Sequence, residues 1–438
     1  MNQEFEKQMQ ELLGDEYESY IACLDQPARR GFRINTLKTD ADMLFGCMDL
    51  PHEKSPFAAN GYYTDAKAGI GYTPEYMAGA FYMQEPSASC AVTILDPKPG
   101  LRILDLCAAP GSKSTQIAEM MNNHGLLVVN EINGQRARIL LENMERHGMS
   151  NAVVTNSDTK LIADNMEQYF DMVLCDAPCS GEGMMRKEEE ALSQWSPRLV
   201  ESCAALQKEI LSNAYRCLKP GGILVYSTCT LNRKENEQQI LSFLMDHPDM
   251  HMCDAGVDFG RSAFENRYDI DKAVRIFPMD GGEGHFVARM QKDGTGKDYD
   301  LPLLKSQQIS KSTVQALNDT ITTPYPYMYA KDGKVYGSVN PFYDFGSIRI
   351  LRQGVLLGEE KKGRFEFSHH FFMSTHSSFI HIYQMSDCEC KAYMHGEQIT
   401  SEFEKGMVAM CYHGYVIGGA KSDGRVMKNR YPKAFRTR

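Results

Sequence analysis

The chain has no apolar run approaching the ~18 residues that would cross a bilayer, so no membrane partner is expected. Met1 to Tyr20 is acidic and amphipathic, with no basic leader region and no cleavage pattern, which argues against a secretory signal. The G-x-x-x-x-G-K spacing of a Walker A loop is missing. So is a second cysteine pair at zinc-finger spacing. Cys388 and Cys390 form an isolated C-x-C, read as structural, and no metal is expected. The 13 cysteines are an odd, scattered set, which suggests free thiols in a reducing cytoplasm. Excess positive charge is lacking too. The formal net charge is −10, which argues against whole-surface attraction to nucleic acid.

Local basic runs are present. Lys421, Arg425, Lys428, Arg430, Lys433, Arg436 and Arg438 stand against a single acid, Asp423. Arg29, Arg30, Arg33 and Lys38 form a second run after an acidic helical stretch. This asymmetry suggests a polyanion partner. Hydrophobic and charged contents of 42% and 24% are those of a soluble globular chain, and 438 residues should hold about two to four domains.

The organising stretch is Leu101 to Lys113. Leu101–Leu106 is an apolar run of strand length. Cys107, Ala108, Ala109, Pro110, Gly111, Ser112 and Lys113 are small or bent, and a helix follows from Ser114. A strand leading through a tight turn into a helix N-terminus is the ligand end of an open α/β sheet. Further strands are expected at 126–131, 152–155, 172–176, 223–228 and 285–290, the last antiparallel at or near an edge. Helices are expected at 2–25, 197–218 and 234–245, with Lys219-Pro220-Gly221-Gly222 as a stop signal. A strand is expected over 31–39, while 40–75 reads as mixed. This alternation predicts an α/β fold with a parallel sheet covered on both faces. The expected division is an N-terminal module at 1–75, a central domain at 76–292, an intermediate unit at 293–375 and a β-rich unit at 376–438.

Acids recur at successive strand ends: Asp105, Glu131, Asp158 and Asp176. Glu131 stands about where a ribose-binding acid sits in nucleotide-binding folds. Asp158 follows the third strand, where a side chain can meet an adenine amino group. Cys179 in Asp-Ala-Pro-Cys-Ser-Gly and Cys229 in Ser-Thr-Cys-Thr lie on polar loops at neighbouring strand ends. A thiolate there can act as a nucleophile, with a second group assisting breakdown.

These motifs, with Phe32-Arg33-Ile34-Asn35-Thr36-Leu37-Lys38, Gln84-Glu85-Pro86-Ser87 and Gly284-His285-Phe286-Val287-Ala288, follow the order found in the NOL1/NOP2/Sun family of RNA cytosine-C5 methyltransferases, which the chain resembles over residues 30–290. Lys428 to Arg436 resembles the end of the PUA-like domain in a bacterial branch that methylates 16S ribosomal RNA. The resemblance implies a Rossmann-like methyltransferase sheet between a small N-terminal RNA-binding module and a β-rich PUA-like domain. It implies S-adenosyl-L-methionine as cofactor, held by Cys107 to Lys113, Glu131, Asp158 and Asp176. It implies Cys229 as the nucleophile toward cytosine C6, Cys179 assisting release, and Asp176 near N3 and N4. Lys113 would reach either the methionine carboxylate or the cytosine. The expected partner is 16S rRNA or the small subunit, bound by a cytoplasmic monomer. Alternatives are another RNA such as tRNA, a non-catalytic rRNA-binding assembly factor, or the DNA-enzyme arrangement in which Cys179 attacks.

Overall fold

Five strands run parallel at the centre of the protein, in the order Leu218–Thr228, Phe170–Asp176, Arg102–Asp105, Leu126–Asn130 and Ala152–Thr155. Each is apolar on both faces. Leu104 and Val128 enter one core, while Ile103, Leu127 and Val129 enter the other. Burial on both sides is why these strands read as continuous apolar runs. The structure, a computed structural model, describes all residues except 1, 2, 66–68, 188–192, 362, 437 and 438.

From Arg102–Asp105 the chain first moves outward through Leu126–Asn130 and Ala152–Thr155. It then returns to the other side of its starting strand with Phe170–Asp176. That reversal opens a crevice beyond the carboxyl ends of Arg102–Asp105 and Phe170–Asp176, the place where ligands bind in such sheets.

Antiparallel strands extend both sides. His285–Lys292 pairs with Leu218–Thr228 as expected, but Val274–Ile276 and Arg261–Ser262 continue the sheet beyond it. On the far side Ile350–Gln353 pairs with Ala152–Thr155. This strand lies in a stretch with no clear period, and four residues are too few to show one. The helix Pro197–Cys217 ends where its pattern stops. The run Lys219-Pro220-Gly221-Gly222 is not a loop, however, because the strand Leu218–Thr228 begins directly. The strand expected over 31–39 stops at Ile34. Asn35 turns the chain and donates to the carbonyls of Gly79 (2.9 Å) and His147 (3.1 Å).

The N-terminal segment divides its contacts. The helices Gln3–Leu13 and Tyr17–Leu24 pack Phe5, Met9 and Tyr20 against Trp195, Val200, Leu231 and Phe277. The antiparallel sheet of Gly31–Ile34, Glu53–Lys54, Gly61–Tyr63 and Phe81–Gln84 instead joins the far end of the chain. Its Phe32, Ile34 and Phe81 share one core with Tyr393, Val408, Met410 and Tyr415. The last four belong to the closing β unit, whose longest strands are Gly406–Tyr412 and Tyr415–Ser422. That unit also contains a helix, Asp387–His395, with Cys390 buried and Cys388 exposed. Among the described residues no helix is long and apolar enough to cross a membrane.

Candidate active site

The turn after Asp105 is built for close backbone approach. Gly111 has φ 111° and caps the helix Ser112–Met120, and a Cβ there would sit 3.2 Å from Leu140 Cδ1. A side chain would therefore meet both strain and crowding. The loop's outer carbonyls are already engaged. Ala109 O accepts from Arg136 Nη2 and Pro110 O from Asn143 Nδ2, each at 2.8 Å. Ser112 Oγ donates to Gln84 Oε1 at 2.5 Å. Burial pushes the Cys107 thiol well above its ordinary pKa, so Cys107 lines the loop as a neutral group.

Asp105 is fully buried. Its Oδ2 accepts from Ser114 Oγ at 2.7 Å, while Oδ1 has no partner among the described residues, and burial pushes its pKa up to about 7. Glu131 is also buried, accepting from Asn133 N at 2.8 Å and facing Arg136 Nη1 at 3.3 Å. Asp158 lies exposed at the N-cap of Thr159–Asn165 and accepts from Lys160 N at 2.7 Å. The residue sequence reasoning missed here is Asn130. Its amide donates to Leu106 O (3.2 Å) and Ser157 O (3.0 Å) and accepts from Thr155 Oγ1 and Ser157 N, tying three strand ends together. A lone amide at the end of Leu-Leu-Val-Val-Asn was its only signal. These donors and acceptors fit S-adenosylmethionine. The unpartnered Asp105 oxygen suits a cationic amino group, the Glu131 carboxylate a ribose diol, and the helix N-terminus a carboxylate.

Across the crevice, Asp176 Oδ2 accepts from Lys113 Nζ and Oδ1 from Ser227 Oγ, both at 2.7 Å. Burial alone would lower the Lys113 pKa, but the Asp176 carboxylate outweighs it and holds the ammonium charged. Cys179 Sγ and Cys229 Sγ lie 3.2 Å apart. The hydrogen bond to Cys229, and then burial, hold the Cys179 thiol well above its usual range. The structure thus brings Lys113, Asp176, Cys179 and Cys229 to one side of the crevice.

The loop carrying Cys229 is anchored by groups that sequence reasoning did not identify. Gly183 N donates to Cys229 O at 2.9 Å, and a Cβ on Gly183 would lie 2.6 Å from Gly284 O. Buried Glu182 accepts from Leu231 N (2.9 Å), Asn232 N (2.7 Å), Trp195 Nε1 (2.9 Å) and Gln8 Nε2 (3.0 Å). Arg275, ion-paired with Glu237 at 2.6 Å, donates to Leu231 O at 2.7 Å. An acid between two glycines just after Cys179 was the available hint for Glu182. His285, at the start of the neighbouring strand, sits 3.0 Å from Ser87 Oγ, and burial lowers its pKa to about 4.

The basic runs need correction. Arg33 is fully buried, ion-paired with Glu119 and donating to Thr115 Oγ1 at 2.7 Å. Lys38 donates to the carbonyls of Ala78 (2.6 Å) and Arg146 (3.0 Å), and burial lowers its pKa to about 7. Neither is free to hold a polyanion. Arg29 and Arg30 remain exposed and line a cavity of about 1120 Å³ with Tyr63, Gln84, Arg186 and Lys187. In the closing unit Lys421, Arg425, Lys428, Arg430 and Lys433 are exposed. Arg436 is half-buried beside Gly396, and Arg438 lies outside the described residues.

A switch-point crevice with a small-residue loop on one side and two facing thiols on the other defines a Rossmann-like, S-adenosylmethionine-dependent methyltransferase. Residues 92–291 match the family model "16S rRNA methyltransferase RsmB/F". Residues 1–86, 315–374 and 381–437 match the RsmF N-terminal, first C-terminal and PUA domains. A ribosomal RNA small subunit methyltransferase F of Vibrio vulnificus is 34% identical over 447 residues, 95% of this chain and 93% of its own length. Its namesake from Erwinia tasmaniensis is 32% identical, over 98% and 95%. The solved methyltransferase homolog protein from Pyrococcus horikoshii is 30% identical with a TM-score of 0.59, covering 67% of this chain and 95% of that one. NSun6 from the same organism, solved with SFG, shares the fold at TM-score 0.60 and 21% identity, covering 66% and 98%. The chain belongs to the RsmF family of rRNA methyltransferases, S-adenosylmethionine-dependent enzymes.

Proposed function

We propose that the chain methylates C5 of cytosine in 16S rRNA, acting in the cytoplasm as a monomer. The observation that carries this reading is the pair of sulfurs, Cys179 and Cys229, 3.2 Å apart beside the Lys113–Asp176 ion pair. Cytosine C5 is a weak nucleophile. Addition of the Cys229 thiolate to C6 makes C5 enamine-like and able to take a methyl group. Negative charge pushed onto N3 needs a proton there, which Asp176, near N3 and N4, relays from the Lys113 ammonium whose hydrogen bond it accepts. The C5–H electron pair then restores the C5–C6 double bond and the Cys229–C6 bond breaks; Cys179 gives its proton to the departing Cys229 sulfur, 3.2 Å away, and takes up the C5 proton in its place. S-adenosylmethionine, when bound, supplies the electrophilic methyl group. The loop from Cys107 to Lys113, with Glu131, Asp158 and Asp176, would hold it. Residues 76–292 carry the chemistry. Residues 1–75 and 376–438 grip RNA, with 293–375 between them. The target base must sit in a loop or be flipped out, because an RNA helix hides base edges in its deep groove.

The two cysteines should fail differently. Cys229→Ala should transfer no methyl group and form no covalent complex with unmethylated 16S rRNA. Cys179→Ala should still attack and leave an RNA–protein adduct on a denaturing gel. The reverse pattern would make Cys179 the attacker. Bisulfite sequencing of rRNA from a strain lacking the gene should show one or more unmethylated 16S cytosines. Unchanged 16S methylation would move the substrate to another RNA.

A further inference from the structure

Among the buried carboxylates around the two thiols that the chemistry above does not use, Glu235 is the one that touches both cysteine loops through Ser180 and Asn232 among the described residues. Glu235 lies between Leu218–Thr228 and the helix Glu237–Asp246, with no exposed surface. One oxygen accepts from Ser180 N at 3.0 Å and Gln207 Nε2 at 2.7 Å. The other accepts from Ser180 Oγ and from Asn232 Nδ2 at 2.7 Å. Ser180 adjoins Cys179, and Asn232 lies three residues beyond Cys229. The same small network joins the loops directly. Ser180 Oγ is 2.8 Å from Thr230 Oγ1, and Asn232 Nδ2 donates to Thr230 Oγ1 at 3.1 Å. Gln207 also donates to Pro178 O at 2.9 Å, holding the Cys179 loop from its other side. Tyr226 fastens the backbone of Glu235 to the sheet, its hydroxyl donating to Glu235 O at 2.7 Å.

We propose that Glu235 is a positioning residue that joins the Cys179 and Cys229 loops, sets one sulfur against the other, and thereby governs release of the methylated base. Four donors from three segments converge on one carboxylate, so its loss leaves all four without their acceptor at once. The loops would then separate where the sulfurs face each other. Glu235 lies beneath the loops, and its negative charge also helps keep Cys179 a thiol, the form that can supply a proton. Attack needs only Cys229 and a placed base, whereas release needs both sulfurs at a fixed separation. The effect should therefore fall on release.

This inference rests on the assignment of Cys179 to release. The test follows the adduct in a single turnover of the full-length enzyme with unmethylated 16S rRNA and S-adenosylmethionine, then measures its decay. Glu235→Gln should form adduct at close to the wild-type rate but lose it roughly tenfold more slowly or worse, toward the Cys179→Ala rate. In a Cys179→Ala background the same change should slow decay no further, because Glu235 acts through that sulfur. Wild-type decay, or formation and decay falling together, overturns the proposal. Ser180→Ala removes one donor with less disturbance and should show a smaller effect of the same kind, which keeps the test decisive if Glu235→Gln folds poorly. A Cys179→Ala enzyme that releases like wild type would overturn the assignment and this inference together. Retained adduct with Cys179→Ala but not with Glu235→Gln overturns the inference alone.

Discussion

Glu131 and Asp105 make separable predictions at the cofactor end. Glu131→Ala removes a buried acceptor suited to a ribose and should cost on the order of 1.5–3 kcal/mol of cofactor affinity. Calorimetry giving equal affinities would reassign Glu131 to holding the Asn133 turn. Asp105 titrates near 7 in the fold and at about 3.9 when unfolded. A raised pKa contributes stability that is complete at low pH and lost as pH rises through about 7. Binding has the opposite sign, since only the ionised carboxylate pairs with a cationic amino group. Cofactor affinity should therefore rise from pH 6 to pH 8, with proton release that calorimetry in buffers of different ionisation enthalpy can detect. Asp105→Asn should abolish both trends; a pH-dependence of binding that persists in this variant would place the titrating group elsewhere. Residue type was legible at this scale, but setting was not. Arg33 and Lys38 read as basic, yet their partners Glu119 and the Arg146 carbonyl lie far along the chain. Asp158 could be placed at a strand end, where it also serves as an ordinary helix cap.

Elements read well where one physical cause dominates. The parallel strands are apolar on both sides, and Pro197–Cys217 shows a helical stripe with Ser196 as its cap and proline in its first turn. Elements whose stability comes from distant partners were harder to see. Gln3–Leu13 was visible as a helix, but not its destination over the Cys229 loop. There Phe5 meets Trp195 edge-on with ring centroids 5.4 Å apart, and Gln8 reaches Glu182. Phe5→Ala should lower unfolding stability by about 3–5 kcal/mol, read from denaturant midpoints. It should also slow methyl transfer, because Leu231 packs in the same cluster. An unchanged midpoint would show that the helix is not docked in solution.

For the whole molecule, electrostatics has to work against a net charge of −10. RNA grip should therefore reside in local basic faces. Replacing Lys428, Arg430 and Lys433 together by Ala should weaken 16S rRNA binding. It should also flatten the salt dependence by roughly 0.7–0.9 log units per lost phosphate contact, with cofactor affinity unchanged. Parallel salt lines of equal affinity would move the grip to the cavity lined by Arg29, Arg30 and Lys187.

The strand Ile350–Gln353 has a consequence in time. It closes the sheet edge formed by Ala152–Thr155, yet it is synthesised about two hundred residues later. At 5–20 residues per second that edge waits roughly 10–40 s with its backbone groups unpaired. The wait is longer for Phe32 and Phe81, whose shared core needs Tyr415. Until the end of the chain arrives, the nascent methyltransferase offers neighbouring chains an open β edge and a bare aromatic patch. A chain stopped near residue 295 would keep that open edge permanently.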